Sequence, residues 1–372
     1  MKILLFGNAK LKFMPYIHFY LENMDVRQHE VHVIYWNRDL KEEAIPFSPE
    51  IRLHEFRYFQ NDQCPKVKKI RSYLKLRRFA LEVMKQEKFD YIVALDSLPA
   101  VLIGDRLAKE FRGRYLFDYR DSSYEWFPPF RRAIGRAAEN AQAVFVSSDG
   151  FREFFPDSCR EKLYTTHNIL LDSLNHREDR GRMTRETDAI RLAYWGFVRD
   201  ENLNLELVKR LAGDSRFQLH FYGKEEEVAQ RLKAYVREQG IDNVFFHGEY
   251  RPEDRYEMIL HTDLLHNLYD NPNAMRAMGN KYYDGILFRI PQLCIPGSLM
   301  GRLVQEHGVG LVCSPMDADF ADRVADYYET LPREEFAAAC DRETDRVLQE
   351  YRQDCAVLQA IFSENGTREY GR

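Results

Sequence analysis

Short apolar runs recur along the chain, and between them apolar residues fall at helical spacing. KILLF at 2–6, VHVIYW at 31–36, YIVAL at 91–95, the run ending at Tyr119 and AVFV at 143–146 are almost continuously apolar and bounded by turn residues. That pattern predicts buried strands. A weaker strand is expected around Ile51, Leu53 and Phe56, and helices over 14–24, 99–109 and 128–140. Repeated strand-helix units of this size predict a parallel sheet covered on both faces. Ligands of such sheets collect at the carboxyl ends of strands. Position alone therefore singles out Asp96, Asp118, Arg120 and Asp121, while Gly7 could allow close ligand approach but lacks the later glycines of the dinucleotide fingerprint.

Between 172 and 188 the periodicity dissolves into polar, charged sequence ending NHREDRGRMTRETD. The alternation resumes with apolar runs at 190–195, 217–222, 244–247, 263–268, 290–295 and 309–313. A chain of 372 residues is long for one core. The reading is an α/β protein with a domain over 1–172, a linker over 173–188 and a second domain over 189–347, followed by a helical segment over 348–372.

Composition narrows the class. Apolar residues make up 45% and charged residues 30%, a globular balance. The net charge of -5 gives no overall case for nucleic-acid binding. No apolar run approaches the roughly 20 residues needed to span a bilayer. MKILLFGNAK reads as a first strand, not a signal peptide, so a cytoplasmic location is expected. The six cysteines show neither metal-ligand spacing nor a disulfide framework and read as small buried hydrophobes. No metal is expected, and Asn365-Gly366-Thr367 reads as a chance match to a glycosylation acceptor. Lys66 to Arg78, KVKKIRSYLKLRR, holds seven basic residues and no acid. It is either an ordinary solvated helix face or a peripheral contact with anionic lipid or a lipid-pyrophosphate acceptor.

Three places carry candidate chemistry. Asn280, Lys281 and Asp284 open a helix ahead of a buried strand and a Pro-Gly turn. A helix N-terminus favours phosphate, and a carboxylate there can accept two hydrogen bonds from a sugar diol. Gly196 follows the 190–195 strand and is followed by Arg199 and a helix. The glycine lets backbone approach a diphosphate, and the guanidinium can meet it bidentately. FDYRDSSYEW at 117–126 is either an active-site rim or a locally paired Asp-Arg network, with Tyr124 and Trp126 as sugar-stacking or core residues.

The stretch NKYYDGILFRIPQLCIPGSLMG resembles the second half of the nucleotide-sugar signature of retaining glycosyltransferases. It is similar to family 4, in the subgroup that builds capsular and exopolysaccharides. Asp284 stands where the family has Glu, and the family's first Glu falls at Arg276. The resemblance implies a GT-B fold, two Rossmann-like parallel-sheet domains facing across a cleft, with the terminal segment crossing back to the first. It implies a nucleotide diphosphate sugar as donor, held by Gly196, Arg199, Asn280, Lys281 and the Ser298 loop, with Asp284 on the ribose and Tyr250 and Arg251 by the base. Arg199 and Lys281 would neutralise the leaving diphosphate. Asp118, Arg120 and Asp121 would face the acceptor, as in members with an Asp-x-Arg-Asp segment. The expected reaction moves a hexosyl-type sugar, with retention, to a saccharide or lipid-linked saccharide hydroxyl, at the inner face of the membrane or in the cytoplasm. A nucleotide-sugar epimerase of similar fold and a non-catalytic nucleotide-sugar-binding protein are the alternatives.

Overall fold

The computed structural model describes residues 1–45, 47–61, 64–182 and 187–363. The chain forms two compact units. Unit 1 is Met1–His167 with the chain from Glu350 onward, and unit 2 is Asn168–Gln349.

Unit 1 is built on strands β1 (Lys2–Phe6), β2 (Glu30–Asn37), β3 (Arg52–Arg57), β4 (Tyr91–Leu95), β5 (Tyr115–Tyr119), β6 (Ala143–Val146) and β7 (Leu163–Thr165). All pair in parallel, in the order β3-β2-β1-β4-β5-β6-β7. The central strands are buried on both faces, which is why β1 and β4 are almost continuously apolar. β3, at the edge, carries charge at Arg52, Glu55 and Arg57. Helices α1 (Ile17–Glu22), α2 (Lys66–Glu87), α3 (Ser97–Leu102), α4 (Gly104–Glu110) and α5 (Pro128–Asn140) supply the cover. The helix expected over 99–109 is two helices, broken at Ile103 ahead of Gly104.

Unit 2 repeats the plan with β8 (Ile190–Trp195), β9 (Phe217–Tyr222), β10 (Val244–Gly248), β11 (Leu264–Asn267), β12 (Gln292–Cys294) and β13 (Gly310–Val312). Their order is β10-β9-β8-β11-β12-β13, again parallel. Between and after these strands come α6 (Glu201–Leu211), α7 (Glu227–Glu238), α8 (Arg255–Met258), α9 (Asn280–Leu287), α10 (Leu299–His307) and α11 (Phe320–Thr330). α12 (Arg333–Phe362) follows without a break, because no Pro or Gly interrupts it. Its end packs in the core of unit 1 through Leu358, Ile361 and Phe362.

The described part of the segment between the sheets forms two short 3-10 turns, Leu171–His176 and Asp179–Arg182. Arg177 pairs with Asp341 at 2.6 Å, so the segment is tied to unit 2. Residues 183–186, residues 364–372 and the Asn365 sequon lie outside the described residues.

Each sheet reverses its strand order once, between β1 and β4 in unit 1 and between β8 and β11 in unit 2. Such switch points open a crevice at the carboxyl ends of the strands.

Candidate functional site

The switch point of unit 2 gathers most of the residues expected to grip a donor. β8 runs out at Gly196, whose φ of 122° is a conformation that side chains resist. A Cβ there would lie 3.5 Å from the Lys281 ammonium. Gly223, after β9, is closer still to backbone: its Cβ would fall 1.8 Å from the Gly196 carbonyl oxygen. Two glycine turns therefore nest at adjacent strand ends, and Lys281 reaches them from the first turn of α9.

Lys281 is held between two phenol rings, with Nζ 4.5 Å from the centroid of Tyr194 and 5.1 Å from that of Tyr269, and it donates to the Tyr269 hydroxyl. Burial pushes its pKa down to about 7, and the nearby charge of Arg199 pushes the same way while Asp284 opposes. Asp284 is one turn further along α9. Burial raises its pKa to about 6, against the pull of Arg255 and Lys281. Arg255 meets the carboxylate at 3.3 Å and also donates to the Ser173 hydroxyl at 3.1 Å. Tyr250 lies within the field of the same pair: burial, then Asp284, raises its pKa to about 12. It also borders a cavity of about 500 Å³ that Tyr222, His220 and His247 help to line.

The loop carrying Arg199 is braced from below. His266 is fully buried and accepts at Nδ1 from the Leu268 amide, which leaves Nε2–H to donate to Asn204 at 2.9 Å. Burial pushes this histidine down to about 3, so it stays neutral. The Asn204 amide in turn donates to the carbonyls of Arg199 and Asp200. Arg199 lays its guanidinium 5.1 Å from the Phe197 ring centroid.

The structure thus brings Gly196, Arg199, Lys281, Asp284 and Tyr250 into one neighbourhood. Asn280 sits exposed at the first position of α9, behind Gly279, which offers no side-chain cap. Within that turn the Tyr282 amide donates to the Gly279 carbonyl at 2.9 Å. Two candidates are otherwise engaged. Arg251 is 78% exposed and pairs with Asp254 at 2.7 Å in a local cap. Ser298 donates to the Ile295 carbonyl and accepts from the Gly301 amide, capping α10. Arg276, where the family signature has its first Glu, donates to the Pro272 carbonyl. Arg255, Tyr194, Tyr269 and His266 were not singled out from the sequence. Arg255 lies 29 positions from Asp284, with no local pattern to link them.

In unit 1 the acceptor-side trio divides. Asp118 is fully buried in β5 and forms an ion pair with Arg120 at 2.8 Å, and the guanidinium lies 4.7 Å from the Tyr16 ring centroid. Asp118 and Arg120 are thus locally paired, one of the two arrangements FDYRDSSYEW left open. Asp121 is the exposed carboxylate of the segment. Asp96 joins the group at the end of β4: its amide donates to the Asp118 carbonyl at 2.7 Å and its side chain accepts from the Ser97 amide. Its φ is 85°, a strained value for a side chain. Burial, aided by the charge of Asp121, raises its pKa to about 7. Tyr124 is packed against Tyr73 and Phe130, whereas Trp126 is 70% exposed. Gly7 serves packing, since a Cβ there would strike the Met14 sulfur at 2.3 Å.

No family model matches the sequence. A search of curated proteins finds no match. Solved structures do resemble the chain along almost its whole length. It is similar to sucrose-phosphate synthase from Thermosynechococcus elongatus, with a TM-score of 0.72 and 15% identity over 96% of each chain. It is similar to Anabaena HepE, solved in complex with UDP, with a TM-score of 0.65 and 14% identity over 97% of this chain and 100% of that one. It is also similar to a glycosyltransferase from Rickettsia africae, with a TM-score of 0.64 and 11% identity over 98% and 99% of the two chains. The fold is GT-B, two Rossmann-like parallel-sheet domains, as expected from the sequence. At these identities the likeness carries the architecture and not the activity.

Proposed function

We propose that the protein is a glycosyltransferase that moves a hexosyl-type sugar from a nucleotide diphosphate sugar to a hydroxyl of a saccharide or lipid-linked saccharide, with retention. The observation that carries this reading is the meeting of Gly196, Arg199, Lys281 and Asp284 at the switch point of unit 2. Glycine turns admit the diphosphate to backbone, and the two cations offset the charge that grows on it as the glycosidic bond breaks. A Lys with a depressed pKa takes up a proton when an anion arrives, so its attraction develops with the ligand. Asp284, held by Arg255, accepts from the ribose diol, and Tyr250 offers a face to the base. HepE, of similar fold, is solved in complex with UDP, which supports a nucleotide as a ligand of this architecture.

On unit 1 we assign the acceptor side to the loop after β5, with Asp121 as the exposed carboxylate and the Asp118–Arg120 pair as its support. Asp96 adds a group able to hold or release a proton near neutrality. Peripheral membrane contact is part of the same reading. Ile70 and Leu74 on α2 are 57% and 60% exposed. A groove of about 860 Å³ that begins at Leu74 is lined by Arg77, Arg78, Lys85, Lys88, Arg106 and Arg114, with Glu82, Glu110 and apolar side chains between them. The side chains at 66 and 67 lie outside the described residues. Among the described residues no helix is long and apolar enough to cross a membrane.

The test is a screen of nucleotide sugars by thermal shift, followed by assay of nucleotide diphosphate release with and without acceptor. The expected result is release that depends on acceptor and is lost in Arg199→Ala and Asp284→Ala. Interconversion of donor sugars without acceptor would mean an epimerase, and binding with no turnover under any acceptor would mean a binding protein.

A further inference from the structure

The amino ends of the strands in unit 1 hold a second cluster of reactive side chains, away from Asp96 and Asp121. We propose that His32, His54 and Glu87 form a binding site for a divalent transition-metal ion of the zinc type. Neighbouring strands β2 and β3 pair Ile34 with His54, so His32 and His54 stand on the same sheet face two positions apart. That face lies under α2, whose last residue is Glu87. His32 Nδ1 and His54 Nε2 are 2.8 Å apart. One ligand atom from each of the three residues falls within 4.8 Å of the others. Two imidazoles and a carboxylate are a common zinc ligand set, with bonds of about 2.0–2.2 Å. Binding would spread the two rings slightly and draw Glu87 inward.

The surroundings also fit. Glu30 lies 3.2 Å from His32 Nε2. A carboxylate there holds the hydrogen on Nε2 and leaves Nδ1 as a bare acceptor aimed at His54. This is the outer-shell arrangement that orients metal-binding histidines. Burial lowers the pKa of both imidazoles, which favours the neutral form. The Phe89 ring meets His32 edge-on at 5.1 Å and closes one side. Two cations compete: Lys2, whose ammonium contacts both Glu87 and Glu30, and Arg52, which pairs with Glu30 at 3.0 Å. A metal displaces Lys2 from Glu87 and leaves it on Glu30. His54 shifts its hydrogen from Nε2 to Nδ1 in the process, so no proton is lost. A metal here staples the edge strand β3 and the end of α2 to β2.

The site shares no residue with the donor-binding group, so its test stands apart from that of the reaction. The full chain is stripped with chelator and titrated with Zn²⁺ by calorimetry, with Co²⁺ absorption as a ligand-field reporter and Tm as a readout of stapling. We expect stoichiometric uptake and a raised Tm. His54→Ala and Glu87→Gln, both partly exposed positions, should abolish uptake while circular dichroism stays native. Glu30→Gln should weaken uptake about 10- to 100-fold, and Lys2→Met should tighten it. His220→Ala, which removes one imidazole of the His220–His247 pair of β9 and β10, 3.0 Å apart, should leave it unchanged. Absence of stoichiometric uptake overturns the proposal, as does uptake that survives either His54→Ala or Glu87→Gln, or that is lost in His220→Ala.

Discussion

Lys281 is the side chain on which the donor reading turns. Its pKa of about 7 lies far below that of a free lysine, chiefly because burial disfavours the charged form. In the ligand-free protein the unfolded chain then binds more protons than the folded one between about pH 7 and the ordinary lysine value. The contribution of this group to stability therefore rises with pH across that window. A bound diphosphate reverses the preference. Binding at pH 8 should be accompanied by proton uptake, read by calorimetry in buffers of different ionisation enthalpy, and Lys281→Met should abolish that uptake. The same substitution removes a charge-assisted contact, which should weaken nucleoside diphosphate binding by about 2 kcal/mol, roughly thirtyfold. Asp284 makes a narrower prediction. If it holds the ribose diol, the ratio of ribo- to 2′-deoxyribonucleotide affinity should collapse toward unity in Asp284→Ala. An unchanged ratio would remove the ribose from this carboxylate. Asp118 is different in kind. It is buried against Arg120, and Asp118→Ala would strand that guanidinium, at a cost of about 3–5 kcal/mol of stability by denaturant unfolding.

Elements set where these side chains can act. The β8–α6 turn is shaped by Gly196 and Gly223 lying against each other and by Asn204 reaching back from α6 to its carbonyls. Gly223→Ala would drive a methyl into the Gly196 carbonyl, and loss of soluble folded protein is the expected outcome. Asn204→Ala should be milder. It leaves His266 without its acceptor and frees the loop of Arg199, so donor affinity should fall more than Tm. Equal losses in both would mean that the bracing is only structural. The repeat of strand and helix that defines both sheets was readable because buried parallel strands leave continuous apolar runs. The break at Ile103 was not readable, because it depends on how the helix meets the sheet beneath it, which leaves little trace in periodicity. The unbroken length of α12 had its sign in the absence of Pro and Gly over 333–362.

The proposed donor crevice belongs to unit 2, and the basic, partly apolar helix α2 belongs to unit 1. If α2 meets anionic lipid, cosedimentation with phosphatidylglycerol vesicles should weaken steeply with salt. Replacing Arg78 and Lys85 by Glu should lower it without changing nucleotide affinity. Vesicle binding that ignores both salt and charge would return this helix to an ordinary solvated face.

The alternation of apolar runs with helical spacing already implied parallel α/β architecture in two parts, and Gly196 and Arg199 after a strand and Lys281 and Asp284 at the start of a helix already stood out. Those features are local, since each depends on neighbours a few positions away. Which candidates share a crevice is a different matter. Arg255 joins Asp284 across 29 positions, and Asp96 joins Asp118 across a strand pair. Arg251 and Ser298 turned out to be engaged in capping, and His32 met His54 through strand register. Such meetings depend on which strands pair and where the sheet order reverses, and no window along the chain contains that information.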